Sequence, residues 1–291
     1  MKILWALNAF DTDKQPLRTM AGLLRTLAGG DKPIQAVYIA NHAEQQLMLA
    51  FDVPLDQRFS SYPFGKLQQA TAQTGLGSGE VNEEVIYEPS TSMKKAADRL
   101  VEAARERKSA LIATYTHGRK GLERFFLGSF AETLLHRSPL PILLVRPGTR
   151  PIRTLRVLFA TDATAASRKA FVKLLAMLPA ECNKVVVYHL GEPTKAWGTA
   201  GQLEEKKQRQ RTLTELDRYV TLGKEKGVAV KVVSEFDFAA PAEAIQAAAE
   251  KQKANLLVVA AQKGALEGAL IGSTTRKLIR ESELPVLVLK A

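Results

Sequence analysis

The sequence is poor in residues that build covalent or metal-held scaffolds, with one cysteine, Cys182, and four histidines. A lone cysteine closes no internal disulfide and, without a second thiolate, builds no cysteine-metal centre. Cys182 falls in a short turn before an apolar strand and reads as a strand-edge residue, not a nucleophile. His42 and His136 show no metal spacing, and His189 closes an apolar strand as a core-edge residue. No apolar run approaches the roughly 18 residues of a membrane helix. The amino-terminal Ile3-Leu4-Trp5-Ala6-Leu7 is interrupted by Asn8, Asp11 and Asp13 with no small-residue cleavage site after it, so it reads as a first strand and not as a signal peptide. A cytoplasmic location away from membranes is the expectation. Also missing are a Walker lysine loop, a carboxylate cluster for a metal and a serine-hydrolase elbow, which argues against a dedicated enzyme.

Acidic residues are fewer than basic ones, 30 against 41, for a net charge of +11. That balance favours anionic partners at long range. The basic residues are dispersed among acids, as with Lys94 and Lys95 near Asp98 and Arg99 near Glu102, which is the pattern of a solvated surface. With no RNP motif, zinc finger or basic arm, nucleic acid is not the expected partner.

What is present is a repeat. Gly128-Ser129, Leu134, Ser138, Leu140-Pro141 and Leu143 recur at a constant offset of 144 residues as Gly272-Ser273, Leu278, Ser282, Leu284-Pro285 and Leu287. Each unit reads β-α-β-α-β-α-β-α-β. Strands are expected near 2–8, 33–40, 83–88, 109–115 and 141–146, then near 154–161, 184–190, 228–234, 255–261 and 284–290. Helices are expected near 15–28, 62–74, 92–107 and 127–137, then near 165–178, 203–226, 241–253 and 272–282. Runs such as Val185-Val186-Val187 and Leu256-Leu257-Val258-Val259 are apolar on both faces, as parallel strands covered by helices must be. The fold class is therefore α/β, two tandem doubly wound five-stranded parallel sheets, with ligand sites beyond the carboxyl ends of the strands. Pro147-Gly148-Thr149-Arg150-Pro151 reads as the linker, giving domains 1–148 and 152–291.

Two glycine-rich segments invite a phosphate-loop reading. Gly75-Leu76-Gly77-Ser78-Gly79 follows a helix and opens none, so it reads as a flexible turn. Thr116-His117-Gly118-Arg119-Lys120-Gly121 through Gly128-Ser129 follows the fourth strand and opens a helix, whose unpaired N–H groups favour an anion. Gly128-Ser129 and Gly272-Ser273 equally fit plain helix caps. His117 lacks a carboxylate or nucleophile in its motif to complete a catalytic set.

This loop resembles that of the universal stress protein family, in its tandem form, and the resemblance extends over essentially the whole chain. Members that bind ATP carry Gly-x-x-Gly, nine residues, then Gly-Ser or Gly-Thr. Gly118, nine intervening residues and Gly128-Ser129 match the latter part, with Tyr115 where the first glycine is expected. In the second unit Ala260 or Ala261 stands at that place, and seven residues separate Gly264 from Gly272-Ser273. The family's aspartate after the first strand is matched by Asp162, whereas the first unit has Asn8.

The resemblance implies the adenine nucleotide alpha hydrolase-like fold, a pseudo-symmetric pair of domains joined through their last strands, and ATP, with Mg2+, as the ligand. In the first unit it implies contacts from Asn8, Ala9, Ile39, Thr116, His117, Gly118, Arg119, Gly128, Ser129 and Phe130. In the second it implies Asp162, Ala163, Leu190, Gly264, Gly272, Ser273 and Thr274. The function expected from it is a nucleotide-responsive stress or regulatory protein with a protein partner, capable at most of slow ATP hydrolysis and open to homodimerisation. The alternative is a nucleotide-independent scaffold whose clefts have closed.

Overall fold

The computed structural model describes residues 1–10, 13–30, 33–42, 61–116, 129–146, 148–192, 198–263 and 269–290, of which 198–201, 262–263 and 269–270 are described by their backbone alone. The first unit runs β1 (Ile3–Ala6), α1 (Lys14–Ala28), β2 (Ile34–Asn41), α2 (Ser61–Ala72), β3 (Val81–Glu88), α3 (Met93–Glu106), β4 (Leu111–Tyr115), α4 (Ser129–Arg137) and β5 (Ile142–Val145). The second runs β6 (Val157–Thr161), α5 (Ala165–Met177), β7 (Lys184–Gly191), α6 (Gly198–Glu225), β8 (Ala229–Phe236), α7 (Pro241–Lys251), β9 (Leu256–Lys263), β10 (Ala269–Leu270), α8 (Ser273–Glu281) and β11 (Val286–Lys290).

Local chemistry accounts for the elements. In α1, Asp13 accepts from the Gln15 N–H at 3.2 Å to start the helix, and Gly29, at φ 73°, ends it in the left-handed conformation. Leu17, Met20, Leu24 and Leu27 recur at helical spacing and are buried against the sheet. In β1, Ile3 and Trp5 enter the core on one face and Leu4 enters it on the other.

All strands but β10 form one sheet in the order β3-β2-β1-β4-β5-β11-β9-β6-β7-β8. Pairing is parallel within each half, and the halves meet where β5 and β11 run antiparallel. In that junction Leu143 faces Leu287, flanked by Ile142 with Val288 and Leu144 with Val286. Leu143 and Leu287 are equivalent positions of the repeat, so a pseudo-twofold axis passes between them, and the last strands join the units as the family resemblance implies.

The two faces of this sheet carry two cores, each continuous across both units. One buries residues of α1, α2, α5 and α6, including Leu17, Leu67, Phe171 and Tyr219. The other buries residues of α3, α4, α7 and α8, including Leu100, Leu134, Ile245 and Leu278. The leucines and valines of β5 and β11 are buried within these cores, so the junction is part of them and not a contact between separate bodies.

The sequence did not announce β10. Strand β9 continues to Lys263, beyond the expected end near 261, and β10 pairs back on it antiparallel, Ala269 with Lys263 and Leu270 with Gln262.

Candidate functional site

The strand order fixes where a ligand can sit. Strand β1 lies between β2 and β4, and the chain leaves β1 for β2 through α1 on one face but leaves β4 for β5 through α4 on the other. The two connections diverge and open a crevice at the carboxyl ends of β1 and β4. The same reversal lies between β6 and β9 in the second unit. The residue after the first strand and the segment leading to the helix after the fourth therefore leave adjacent parallel strands at the same edge of the sheet in each unit.

In the first crevice, Asn8 is exposed, and its Oδ1 accepts from the Phe10 N–H at 3.0 Å, which holds the turn after β1. Ala9 is buried, Ile39 is half-buried in β2, and Thr116 is buried with its N–H donated to the Val145 carbonyl at 2.9 Å. Ser129 is exposed and Phe130 half-buried in the first turn of α4. His117, Gly118, Arg119 and Gly128 lie outside the described residues. Tyr115, at the end of β4, is buried, and its hydroxyl donates to the Pro16 carbonyl of α1. An aromatic ring thus ties β4 to α1 where the family pattern has a glycine.

In the second crevice, Asp162 repeats the turn of Asn8: its Oδ1 accepts from the Thr164 N–H at 3.1 Å and from the Thr164 hydroxyl at 2.7 Å. Thr164 in turn caps α5 by accepting from the Ser167 N–H at 3.2 Å. Ala163 takes up the left-handed conformation, at φ 57°, between them. Leu190 is half-buried against the core. Helix α8 begins with Gly272 as its N-cap and Ser273 and Thr274 in its first turn, and Gly272 has no side chain to accept from the first-turn N–H groups. A helix end so capped leaves donors for an anion. Gly264 lies outside the described residues. The hairpin of β9 and β10 occupies the stretch before α8, so the backbone of Gln262, Lys263, Ala269 and Leu270 is already paired.

Beside Asp162 lie polar groups of which the sequence reading named only His189, as a core-edge residue. The Thr161 hydroxyl accepts from the Ala163 N–H at 3.0 Å and lies 2.7 Å from the Tyr219 hydroxyl and 2.9 Å from that of Ser167. His189 Nδ1 is 3.4 Å from the Ser234 hydroxyl. Burial pushes the His189 imidazole below its ordinary value, against the pull of Asp162, so it is neutral at pH 7. The Phe236 ring, with the Arg209 guanidinium 4.6 Å from its centre, lies so close to Gly191 that a Cβ there would come within 2.5 Å of it. These residues are far apart in sequence and are gathered by the pairing of β6, β7 and β8 and by the packing of α5 and α6 against them.

The remaining candidates resolve as structure. Glu80 accepts from the Gly77 N–H at 2.7 Å and from Arg25 Nε and Nη2, which makes the Gly75–Gly79 segment a braced turn at the opposite ends of the strands. Cys182 is buried, and desolvation pushes its thiol up, away from the reactive thiolate. Among the described residues no group of three His, Cys, Asp or Glu could hold a metal ion, and no helix is long and apolar enough to cross a membrane.

Comparison with known proteins agrees with the architecture. A family model described as the universal stress protein family matches residues 2–146 and again 154–290. No curated protein sequence matches the chain significantly. Among solved structures, a universal stress protein from Archaeoglobus fulgidus aligns with a TM-score of 0.62 at 17% identity, covering 99% of this chain and 98% of that one. A functionally unknown protein from Pseudomonas aeruginosa aligns with a TM-score of 0.66 at 17% identity, covering 99% of this chain and 92% of that one. The two family matches coincide with the two halves of the sheet, so the chain belongs to the universal stress protein family, as two of its domains in tandem.

Proposed function

We propose that this protein is a nucleotide-responsive regulator that takes ATP in the first crevice, with the phosphates at the start of α4. The observation that carries the reading is the reversal of strand order between β1 and β4, adjacent strands whose carboxyl ends lead to Asn8 and, through the fourth-strand loop, to α4. Asn8 offers an amide donor to a ribose or base, and the N–H groups that begin α4 offer donors to phosphates. Any Mg2+ would arrive on the phosphates of the nucleotide. The chain's own residues bind and orient; slow hydrolysis would be a by-product of a cradle that steadies the γ-phosphate. Of the two crevices the first is favoured because its loop keeps the nine-residue spacing, while the second spends its backbone on the β9–β10 hairpin.

A second reading, the nucleotide-independent scaffold, is favoured by one specific observation, the Tyr115 ring fixed between β4 and α1. Isothermal titration with ATP, ADP, AMP and adenosine separates the two. The nucleotide reading expects one site per chain and an affinity that grows with the number of phosphates. No heat from any of the four overturns it in favour of the scaffold.

A further inference from the structure

Arg146 and Lys290 are equivalent residues of the repeat, each at the carboxyl end of its unit's last strand. Because β5 and β11 are antiparallel, each strand's carboxyl end lies beside the amino end of the other, which is where the other unit's last helix finishes. The consequence is a reciprocal exchange of cations. Lys290, at the end of the second unit, donates from Nζ to the Leu135 carbonyl in the last turn of α4 in the first. Arg146, at the end of the first unit, donates from Nη1 to the Glu281 and Ser282 carbonyls at 3.0 and 2.8 Å, where α8 of the second ends. Both cations sit where a helix has unpaired carbonyls and the negative end of its dipole. Lys290 is held in place by Lys173 of α5, which donates to its carbonyl. The β10 strand of the second unit also touches α4 directly.

We propose that Arg146 and Lys290 couple the two units, each securing the last turn of the helix whose first turn borders the other unit's crevice. Helices α4 and α8 have only nine residues each, so the ends are two turns apart and ordering one end bears on the other. A ligand that fixes the first turn of α4 tightens the bond from Lys290 at its far end, and loss of that bond loosens the first turn. The ligand transmitted in this way is the nucleotide of the reading above, on which the regulatory consequence rests; the coupling itself rests on the hydrogen bonds alone.

Hydrogen exchange of the full chain tests it, comparing the wild type with Lys290→Met, Lys290→Arg and Arg146→Met. Lys290→Met should speed exchange of the last-turn amides of α4 by about tenfold and leave α8 unchanged, as expected for loss of one charge-assisted bond. Arg146→Met should do the converse, and Lys290→Arg, which keeps a cation, should retain wild-type protection in α4. Should Lys290→Met not fold, Lys290→Gln, uncharged but polar, is read in the same way. Loosening confined to the mutated unit, or equal in both helices, or absent, overturns the coupling. Saturating ATP should slow exchange in α4 of the wild type. If ATP changes nothing while the variants still act across the junction, the nucleotide reading falls and the coupling stands.

Discussion

Replacing Lys290 with methionine keeps most of its buried stem and removes its charge. The residue is 4% exposed, and desolvation lowers the ammonium from 10.5 to about 8. The folded chain thus sheds this proton near pH 8, whereas the unfolded chain keeps it to about 10.5. Between those values the unfolded state binds more protons, so stability rises with pH; below them the cost of the buried charge is fully present. At about 1.36 kcal/mol per pH unit, that cost is roughly 3 kcal/mol. Lys290→Met escapes it at pH 7 but leaves the Leu135 carbonyl unpaired, at about 1–3 kcal/mol, so the two proteins should lie within about 2 kcal/mol of each other there. At pH 10 the wild type has recovered most of the cost and should be more stable than the variant by about 1–3 kcal/mol. Urea unfolding followed by circular dichroism at both pH values measures this, and taking the difference between the proteins cancels every other titrating group. A gap between them that is the same at pH 7 and pH 10 would refute the claim that Lys290 is held as a desolvated cation.

Gly223→Ala should lower the melting temperature although alanine is the better helix former by about 1 kcal/mol, because the new Cβ would lie 2.3 Å from Val230 Cγ2 and 2.6 Å from the Val228 carbonyl. Tyr115→Phe removes the hydroxyl that binds the Pro16 carbonyl, so the urea midpoint should fall by an amount equivalent to about 1 kcal/mol, with the ring still filling its place. Gly128→Val should abolish ATP binding by calorimetry, while Gly272→Val, at φ −59° with none of the described residues within 4 Å of its Cβ, should fold and spare it.

Much of this architecture was legible because it follows from period and repetition. The 144-residue offset that relates Leu140-Pro141 to Leu284-Pro285 fixes the equivalence of the last strands, and apolar runs on both faces fix the parallel sheet. The switch points, and with them the places of Asn8, Ser129, Asp162 and Ser273, follow from that order. What escaped was set by tertiary contact. Two residues, Ala269-Leu270, carry too short a pattern to mark β10, and Gly198-Thr199-Ala200-Gly201 has no helical signature although α6 begins there. Tyr115 stood out as a departure from the family motif, but its partner Pro16, 99 residues earlier, did not. The bond from Lys290 to Leu135 spans 155 residues and exists only because β5 and β11 are antiparallel. His189, Ser234 and Tyr219 come to Asp162 by the same route, through strand pairing and helix packing that no local pattern encodes.

The most direct measurement is the affinity of Ser129→Ala for ATP and for adenosine, with the fold checked by circular dichroism. Ser129 opens α4 at the first crevice, and alanine removes its hydroxyl while leaving the backbone N–H groups in place. A hydrogen bond to a charged group contributes roughly 1.5–3 kcal/mol, so ATP should bind about ten- to hundredfold more weakly. Adenosine, which has no phosphate, should bind as it does to the wild type. Equal weakening of both ligands in a folded protein would mean that Ser129 only shapes the crevice, and would contradict the placement of phosphate at the start of α4.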